Sequence, residues 1–124
     1  MSYVDGFVLV VPKKKIGAYR KMAHSGGKIW KKYGALEYFE CIGDDLFPKM
    51  GGMKIYNFPR LMKTKPGETV VFSFIVYKSR SHRDAVNAKV MKDPVMCDPA
   101  WKDKPMPFDM KRMAYGGFNA IVKF

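Results

Sequence analysis

One stretch of this 124-residue chain limits the choice of fold more than any other, and it covers residues 66–94. It opens with the turn signal Pro66–Gly67 and continues as an uncharged apolar run over residues 69–77 (TVVFSFIVY). The run is rich in β-branched and aromatic side chains, which is typical of a strand covered on both faces. The rest of the chain must therefore supply packing for two sides of this strand.

A helix is predicted directly after the run. Ser81, followed three residues later by Asp84, has the spacing of a capping box, so the helix should begin near Arg83. Pro94 disfavours helical geometry in the residue before it, which limits the helix to Asp93. A buried strand that leads straight into an amphipathic helix is half of a βαβ unit.

The first third of the chain repeats this order. Residues 3–11 (YVDGFVLVV) form a second apolar run, and Pro12 stands where the first turn of a helix accepts a proline. Apolar residues then recur at helical spacing as far as Tyr33. Gly26–Gly27 interrupts the pattern, so either the helix is weak there or another group packs tightly against its backbone.

The remaining segments are shorter strands and long connections. Residues 35–42 alternate and carry charges, as edge strands do. Residues 43–68 form a long apolar connection, which predicts a lid or an arm that grips a partner subunit. Residues 94–109, with Trp101, are predicted to be irregular, and residues 113–124 form the last strand.

The predicted order is strand–helix–strand–strand–helix–strand within one domain, residues 1–124. Right-handed connections place the two apolar runs at the centre, parallel to each other, with residues 35–42 and 113–124 as antiparallel edges. Both helices then cover one face of the sheet. The other face is too apolar to stay wet, so we expect it to pack against a second copy of the chain.

The chain is strongly basic, with 23 Lys and Arg against 11 Asp and Glu and a formal net charge of +12. Eight of the basic residues lie in the first helical region, which contains no acid: Lys13, Lys14, Lys15, Arg20, Lys21, Lys28, Lys31 and Lys32. Such a face either follows the phosphates of a nucleic acid or only keeps the protein solvated. Nucleic acid is therefore a candidate partner.

Other functional classes have little support. Cys41 and Cys97 stand far apart, which favours free thiols in a reducing cytoplasm. No apolar stretch approaches the roughly 20 residues that span a bilayer, so no membrane partner is expected. The cysteines and histidines lack the paired spacing of metal ligands, and no glycine-rich phosphate loop occurs, so no cofactor is expected.

The predicted topology brings the end of the 69–77 strand and the start of the last strand to one end of the sheet, where both helices begin. Helix N-termini favour anions, so we predict a small-molecule site there, with part of the 43–68 loop as its roof. Tyr77 and His82 are the candidate catalytic residues. The candidate ligand-binding residues are Tyr38, Tyr77, Arg80, Arg112 and Tyr115. The alternative is that the tyrosines close the core and the arginines are solvated.

Asp5 is an acid inside an apolar central strand, and it is predicted to lie at the opposite end of the sheet. It needs a partner, which Asn119 or a second subunit would provide. Its role is either a buried structural hydrogen bond or, with a raised pKa, general base catalysis.

The whole chain resembles a bacterial family of small proteins, the domain of unknown function 1428 or YbaA-like family. The segments that carry the resemblance are YVDGFV at 3–8, GALEYFEC at 34–41, FPR at 58–60, residues 65–94 and MPFDMKRMAYGGF at 106–118. The resemblance implies a ferredoxin-like α+β subunit that dimerises into an α+β barrel. Related barrels include cofactor-free monooxygenases, isomerases, haem enzymes and binding proteins, so it does not select one chemistry.

The leading hypothesis is a cytoplasmic homodimer that binds a small anionic or aromatic molecule, with metal-free catalysis as an extension of that role. The alternative is an RNA- or other nucleic-acid-binding module that uses the basic first helix. A third hypothesis is a barrel without a ligand that acts through protein contacts alone.

Overall fold

A computed structural model describes residues 2–98 and 105–124, so Trp101 lies outside the described residues. Its four strands are β1 (Tyr3–Pro12), β2 (Glu37–Ile42), β3 (Glu68–Tyr77) and β4 (Ala114–Asn119). Its α-helices are α1 (Ile16–Lys32), α2 (Phe58–Leu61), α3 (Arg80–Met91) and α4 (Pro94–Cys97). Short 3₁₀ turns cover Lys13–Lys15 and Met110–Arg112. Among these residues, no helix is long and apolar enough to cross a membrane.

The strands form one sheet in the order β2-β3-β1-β4. The two apolar runs are its central strands and the two predicted edge strands are its edges, as expected. The predicted parallel pairing of the central strands is wrong, because Tyr3 lies opposite Tyr77 and Pro12 lies opposite Glu68 in an antiparallel register. Helix α1 returns the chain to the end of the sheet where β1 began, so β2 runs parallel to β1. The 43–68 connection then reverses the chain, so β3 runs antiparallel to both.

This reversal also separates the helix N-termini, which were predicted to share one end of the sheet. Helix α1 follows the end of β1, whereas α3 follows the end of β3, at the opposite end of the sheet. Helix α3 begins at Arg80, earlier than predicted. Its cap is Ser79, whose hydroxyl accepts a hydrogen bond from the backbone N–H of His82 at 3.1 Å, and Ser81 lies inside the first turn.

Odd-numbered residues of the central strands face the helices and form the core. One cluster joins Tyr3, Ile75 and Tyr77 to Ile29, Val86 and Val90 of α1 and α3, and the other joins Leu9, Val11 and Val71 to Tyr19 and Ala23 of α1. The two helices thus cover the same face, as predicted. We call the other face the open face. It presents Phe39, Phe72 and Phe118, which are 47%, 44% and 60% exposed.

The 43–68 connection lies against the open face. It contains α2, and the ring of Phe58 packs edge-on against Phe72 with 6.4 Å between centroids. Part of this connection was predicted to roof a pocket at the end of β3, and the observed contact places α2 elsewhere. The last strand is also shorter than predicted, since β4 ends at Asn119 and not at Phe124.

Candidate functional site: a cavity beneath helix α1

A cavity of about 830 Å³ lies between α1, the helix-side face of the sheet and the segment 105–113. Its walls are mainly apolar and include Phe7, Leu9, Trp30, Ile75 and Phe108. Five methionines also line it: Met22, Met96, Met106, Met110 and Met113. Methionine side chains are flexible and polarisable, so such a wall adapts to ligands of different shape. The volume is within the usual range for small-molecule sites.

A hydrogen-bonded trio forms the polar part of the cavity wall. The Tyr19 hydroxyl donates to Oε1 of Glu40 at 2.7 Å, and the Tyr38 hydroxyl donates to Oε2 of the same carboxylate at 2.8 Å. Tyr19 is buried, whereas Glu40 is exposed, so solvent or a ligand can reach the carboxylate. Ser73, on the neighbouring strand opposite Glu40, adds a buried hydroxyl to the lining.

Both tyrosines remain protonated donors at ordinary pH. Burial, together with the hydrogen bond and the charge of Glu40, raises the pKa of Tyr19 well above its usual value near 10. Burial likewise raises the pKa of Tyr38, and the negative charge of Glu40 adds to this effect. The trio therefore consists of one carboxylate and two neutral phenols.

Local sequence explains how β2 and α1 build the trio. Tyr38 and Glu40 are two residues apart in β2, so both point to the helix side of the sheet. Gly26–Gly27 lets α1 pass close above Tyr38, because a Cβ at Gly27 would stand 2.9 Å from the tyrosine ring. Of the two alternatives that the sequence left open for Gly26–Gly27, the structure shows tight packing against the helix.

A second space, which we call the basic groove, lies on the outer side of the trio. Its volume is about 790 Å³, and it separates α1 from the outer part of β2. It shares Tyr19, Tyr38 and Glu40 with the cavity and is also lined by Arg20, His24, Lys28 and Lys31 of α1. The trio is therefore a partition between an apolar cavity and a groove edged with basic side chains.

The structure does not bring the sequence-predicted site residues together in one pocket. Tyr38 lines the cavity. Tyr77 is fully buried and donates a hydrogen bond to Asn87 Oδ1 at 3.3 Å. His82 lies beside the Tyr77 ring, and its Nδ1 accepts from the Lys78 backbone N–H at 3.0 Å. Arg80 is exposed in the first turn of α3.

Arg112 lies apart from these residues, whereas the Tyr115 hydroxyl reaches the Tyr77 end of the sheet through a hydrogen bond from Arg83. The Arg112 guanidinium donates to both carboxylate oxygens of Glu68 at 2.6 and 2.9 Å, at the end of the sheet away from Tyr77. The expectation that Arg112 joins the cluster at the end of β3 is wrong, because β3 runs in the opposite direction to the one predicted. Tyr115 stacks on Phe7, with 4.7 Å between ring centroids.

Asp5 lies at the Tyr77 end of the sheet, not at the opposite end, because its register partner is Ile75. Its partner within the chain is Arg83 and not Asn119. Nη1 of Arg83 contacts Oδ1 of Asp5 at 2.7 Å and also donates to the Tyr115 hydroxyl at 2.9 Å. Asp5 is only 1% exposed, and this burial raises its pKa although Arg83 acts in the other direction.

Sequence reasoning missed Tyr19, Glu40 and Ser73. The alternation of residues 35–42 placed Tyr38 and Glu40 on the same face, which was the one available signal. Tyr19 and Ser73 reach Glu40 only through the packing of α1 and the pairing of β3 with β2. Within residues 2–98 and 105–124, no group of three or more His, Cys, Asp or Glu side chains is arranged to hold a metal ion.

Comparison with known proteins places the chain in a family. The sequence profile described as "Protein of unknown function (DUF1428)" matches residues 2–110. "Uncharacterized protein YbaA" of Escherichia coli strain K12 is 44% identical over 122 residues, which is 98% of each chain. The YbaA protein of Shigella flexneri matches with the same identity and coverage.

Two solved structures share the fold. A dimeric ferredoxin-like protein from an uncultured marine organism has a TM-score of 0.55 at 14% identity, with 100% of each chain covered. Rv0793 from Mycobacterium tuberculosis has a TM-score of 0.56 at 10% identity, with 99% of this chain and 98% of the other covered. Identities this low show the fold alone. The protein therefore belongs to the DUF1428 family and has a ferredoxin-like α+β fold.

Proposed function

We propose that the protein binds a small, mainly apolar or aromatic molecule in the cavity beneath α1. The observation that carries this proposal is the cavity itself, whose apolar wall contains one concentrated polar feature, the Tyr19–Glu40–Tyr38 trio. Binding sites for small molecules combine these two properties, since apolar walls supply affinity and a few fixed polar groups supply orientation. An aromatic ligand was also expected from the sequence. The proposed location differs, because the cavity lies beneath α1 and not at the end of β3.

We further propose that the protein acts as a homodimer joined through the open face. The exposed phenylalanines Phe39, Phe72 and Phe118 support this, because a contiguous exposed apolar surface usually marks an interface. The solved neighbour from an uncultured marine organism is described as dimeric, which agrees with this arrangement. In such a dimer the cavity stays accessible, because it lies on the helix side of each sheet.

Native mass spectrometry of gently purified protein tests both proposals, because it weighs the assembly and any molecule that stays bound. We expect a dimer that carries a discrete small mass. Ala18 lines the cavity and is exposed, so Ala18→Trp should fill part of the space and remove the bound mass. The control is Ala88→Trp, an exposed position on α3 outside the cavity lining, which should retain it. An empty wild-type protein that also binds no aromatic probe would refute the ligand proposal.

The basic groove supports a second candidate function, RNA binding. Arg20, His24, Lys28 and Lys31 lie along one side of α1, and the helix contains no acidic residue to offset them. Affinity that depends on phosphate contacts falls steeply as salt is added. Arg20→Glu combined with Lys28→Glu should abolish RNA binding in fluorescence anisotropy. Lys89→Glu combined with Lys92→Glu makes the same charge change at α3 and should preserve it. Equal losses in both double variants would reject the groove as the binding surface.

A further inference from the structure

We propose that the ligand of the α1 cavity carries a hydrogen-bond donor, a phenol or a primary amine, on its apolar body and donates it to Glu40. This inference rests on the proposed function, since it names the class of ligand for the same cavity. It narrows the expectation drawn from the sequence, in which an anionic group was one of two options.

The hydrogen-bond directions within the trio carry the argument. Each tyrosine hydroxyl has a single hydrogen, and both hydrogens are directed at Glu40, one to each carboxylate oxygen. An ionised carboxylate accepts about four hydrogen bonds and donates none. The trio thus presents acceptor positions and no free donor: the spare lone pairs of Glu40 and of Tyr38, and the Tyr19 oxygen, which already contacts the Ser73 hydroxyl. A ligand group that can only accept would leave these positions unsatisfied.

Charge within the cavity acts in the same direction. An anionic ligand group in the cavity beside Glu40 would meet a like charge, and the basic side chains that line the groove lie on the other side of the trio. Among the described lining residues, Lys21 is the one with a formal positive charge, and it is exposed. A solvated ammonium contributes little to holding an anion. Ser73 is hydrogen-bonded to the Tyr19 hydroxyl, so it does not change this preference.

Four probes with the same ring system separate the ligand classes. They are 2-naphthol, 2-naphthylmethylamine, 2-methoxynaphthalene and 2-naphthoate, and their affinities are measured by isothermal titration calorimetry at neutral pH. We expect the two donors to bind about tenfold more tightly than the methyl ether, because the ether leaves the acceptors unpaired. The carboxylate should bind most weakly. Donors that bind no better than the ether or the carboxylate would overturn the inference.

A matched pair of variants locates the effect. Glu40→Gln keeps the shape of the side chain but supplies an amide N–H₂, so the donors should lose their advantage and the carboxylate should bind at least about tenfold more tightly. Glu37→Gln makes the same change on the open face of the same strand and should keep the wild-type order of affinities. An unchanged order in Glu40→Gln would contradict the assignment of Glu40.

The experiment also separates this inference from the proposal on which it rests. If the wild-type protein binds all four probes equally, or prefers the carboxylate, the cavity binds small molecules but the donor inference is wrong. If no probe binds the wild-type protein and no small mass accompanies it after purification, the proposed function itself fails.

Discussion

Gly27 of α1 lies so close to Tyr38 of β2 that a Cβ at Gly27 would stand 2.9 Å from Cδ1 and 3.0 Å from Cε1 of the tyrosine ring. The missing side chain lets the helix settle onto the ring, and the Tyr38 hydroxyl then reaches Oε2 of Glu40 at 2.8 Å. One glycine in a helix thus sets the height of α1 above the sheet and the shape of the partition between the cavity and the basic groove.

Substitution of Gly27 by Ala should destabilise the protein by about 1–3 kcal/mol, since the new methyl group would collide with a packed ring. This loss should appear although alanine is the better helix former. Gly17→Ala is the matched control, because nothing lies within 4 Å of its Cβ position, and it should stabilise the protein by about 0.4–1 kcal/mol. Urea unfolding measures the change in the free energy of unfolding for each variant. If both variants are stabilised, or both are destabilised, the close packing of Gly27 on Tyr38 is contradicted.

Asp5 should make stability depend on pH in the acidic range. Burial raises the pKa of Asp5 above its usual value, and Arg83 offsets this only in part. A carboxyl that binds its proton more tightly in the folded state adds stability that is complete below its unfolded pKa of about 3.9. That contribution is lost as the pH rises through the folded pKa. We therefore expect wild type to gain stability relative to Asp5→Asn as the pH falls from about 7 to about 4.

Chemical unfolding of wild type and Asp5→Asn at several pH values checks this expectation. Asp84→Asn serves as the comparison, because it removes the exposed carboxylate that Nε of the same Arg83 contacts at 2.7 Å. The difference in the free energy of unfolding between wild type and Asp5→Asn is then compared across pH. If this difference stays constant, or if acidification favours the variant, the pKa of Asp5 is not raised in the folded protein.

The Glu68–Arg112 pair should have the opposite dependence on pH. The hydrogen bonds from Arg112, assisted by the backbone N–H of Lys65, lower the pKa of Glu68 to about 2. The stability that this shift provides is present above the unfolded pKa of about 4.3 and is lost as the pH falls toward about 2. Arg112→Met should therefore be least stable relative to wild type above about pH 5.

The matched control for Arg112→Met is Lys111→Met, which removes the same charge from an exposed neighbouring residue. Thermal unfolding followed by circular dichroism gives the difference in stability at each pH. If Arg112→Met and Lys111→Met differ from wild type in stability by the same amount at all pH values, the Glu68–Arg112 ion pair does not stabilise the fold.

The proposed dimer predicts the effect of a charge on the open face. Phe118 is 60% exposed in the isolated chain, so Phe118→Glu should leave the fold of the monomer intact. In the dimer the carboxylate would be buried without a partner, and we expect dissociation to become easier by about a hundredfold or more. Size-exclusion chromatography with light scattering measures the assembly. Met91→Glu, at a similarly exposed site on α3, should remain dimeric. A Phe118→Glu protein that stays dimeric would place the interface elsewhere.

Sequence alone determined the four strands, the two long helices α1 and α3, and which strands are central. It missed the short helix α2, and it wrongly predicted an irregular chain at Pro94–Cys97, where α4 forms. The apolar runs at residues 3–11 and 69–77 became β1 and β3, because long runs rich in β-branched and aromatic residues favour central strands. The glycine pair in α1 indicated either a weak helix or close packing against it, and the structure shows the close packing. These inferences depend on local patterns, which report burial and backbone freedom.

Tertiary structure alone decided the direction of β3 and the partners of the polar residues. An apolar run has the same composition in either direction, so its pattern indicates a central strand but not the way the chain runs. That direction placed Arg112 beside Glu68, and Asp5 beside Arg83 although 78 residues separate them. It was also the packing of α1 on β2 that brought Tyr19 to Glu40 across 21 residues. Contacts of this kind arise when separate elements pack together, and no local pattern encodes them.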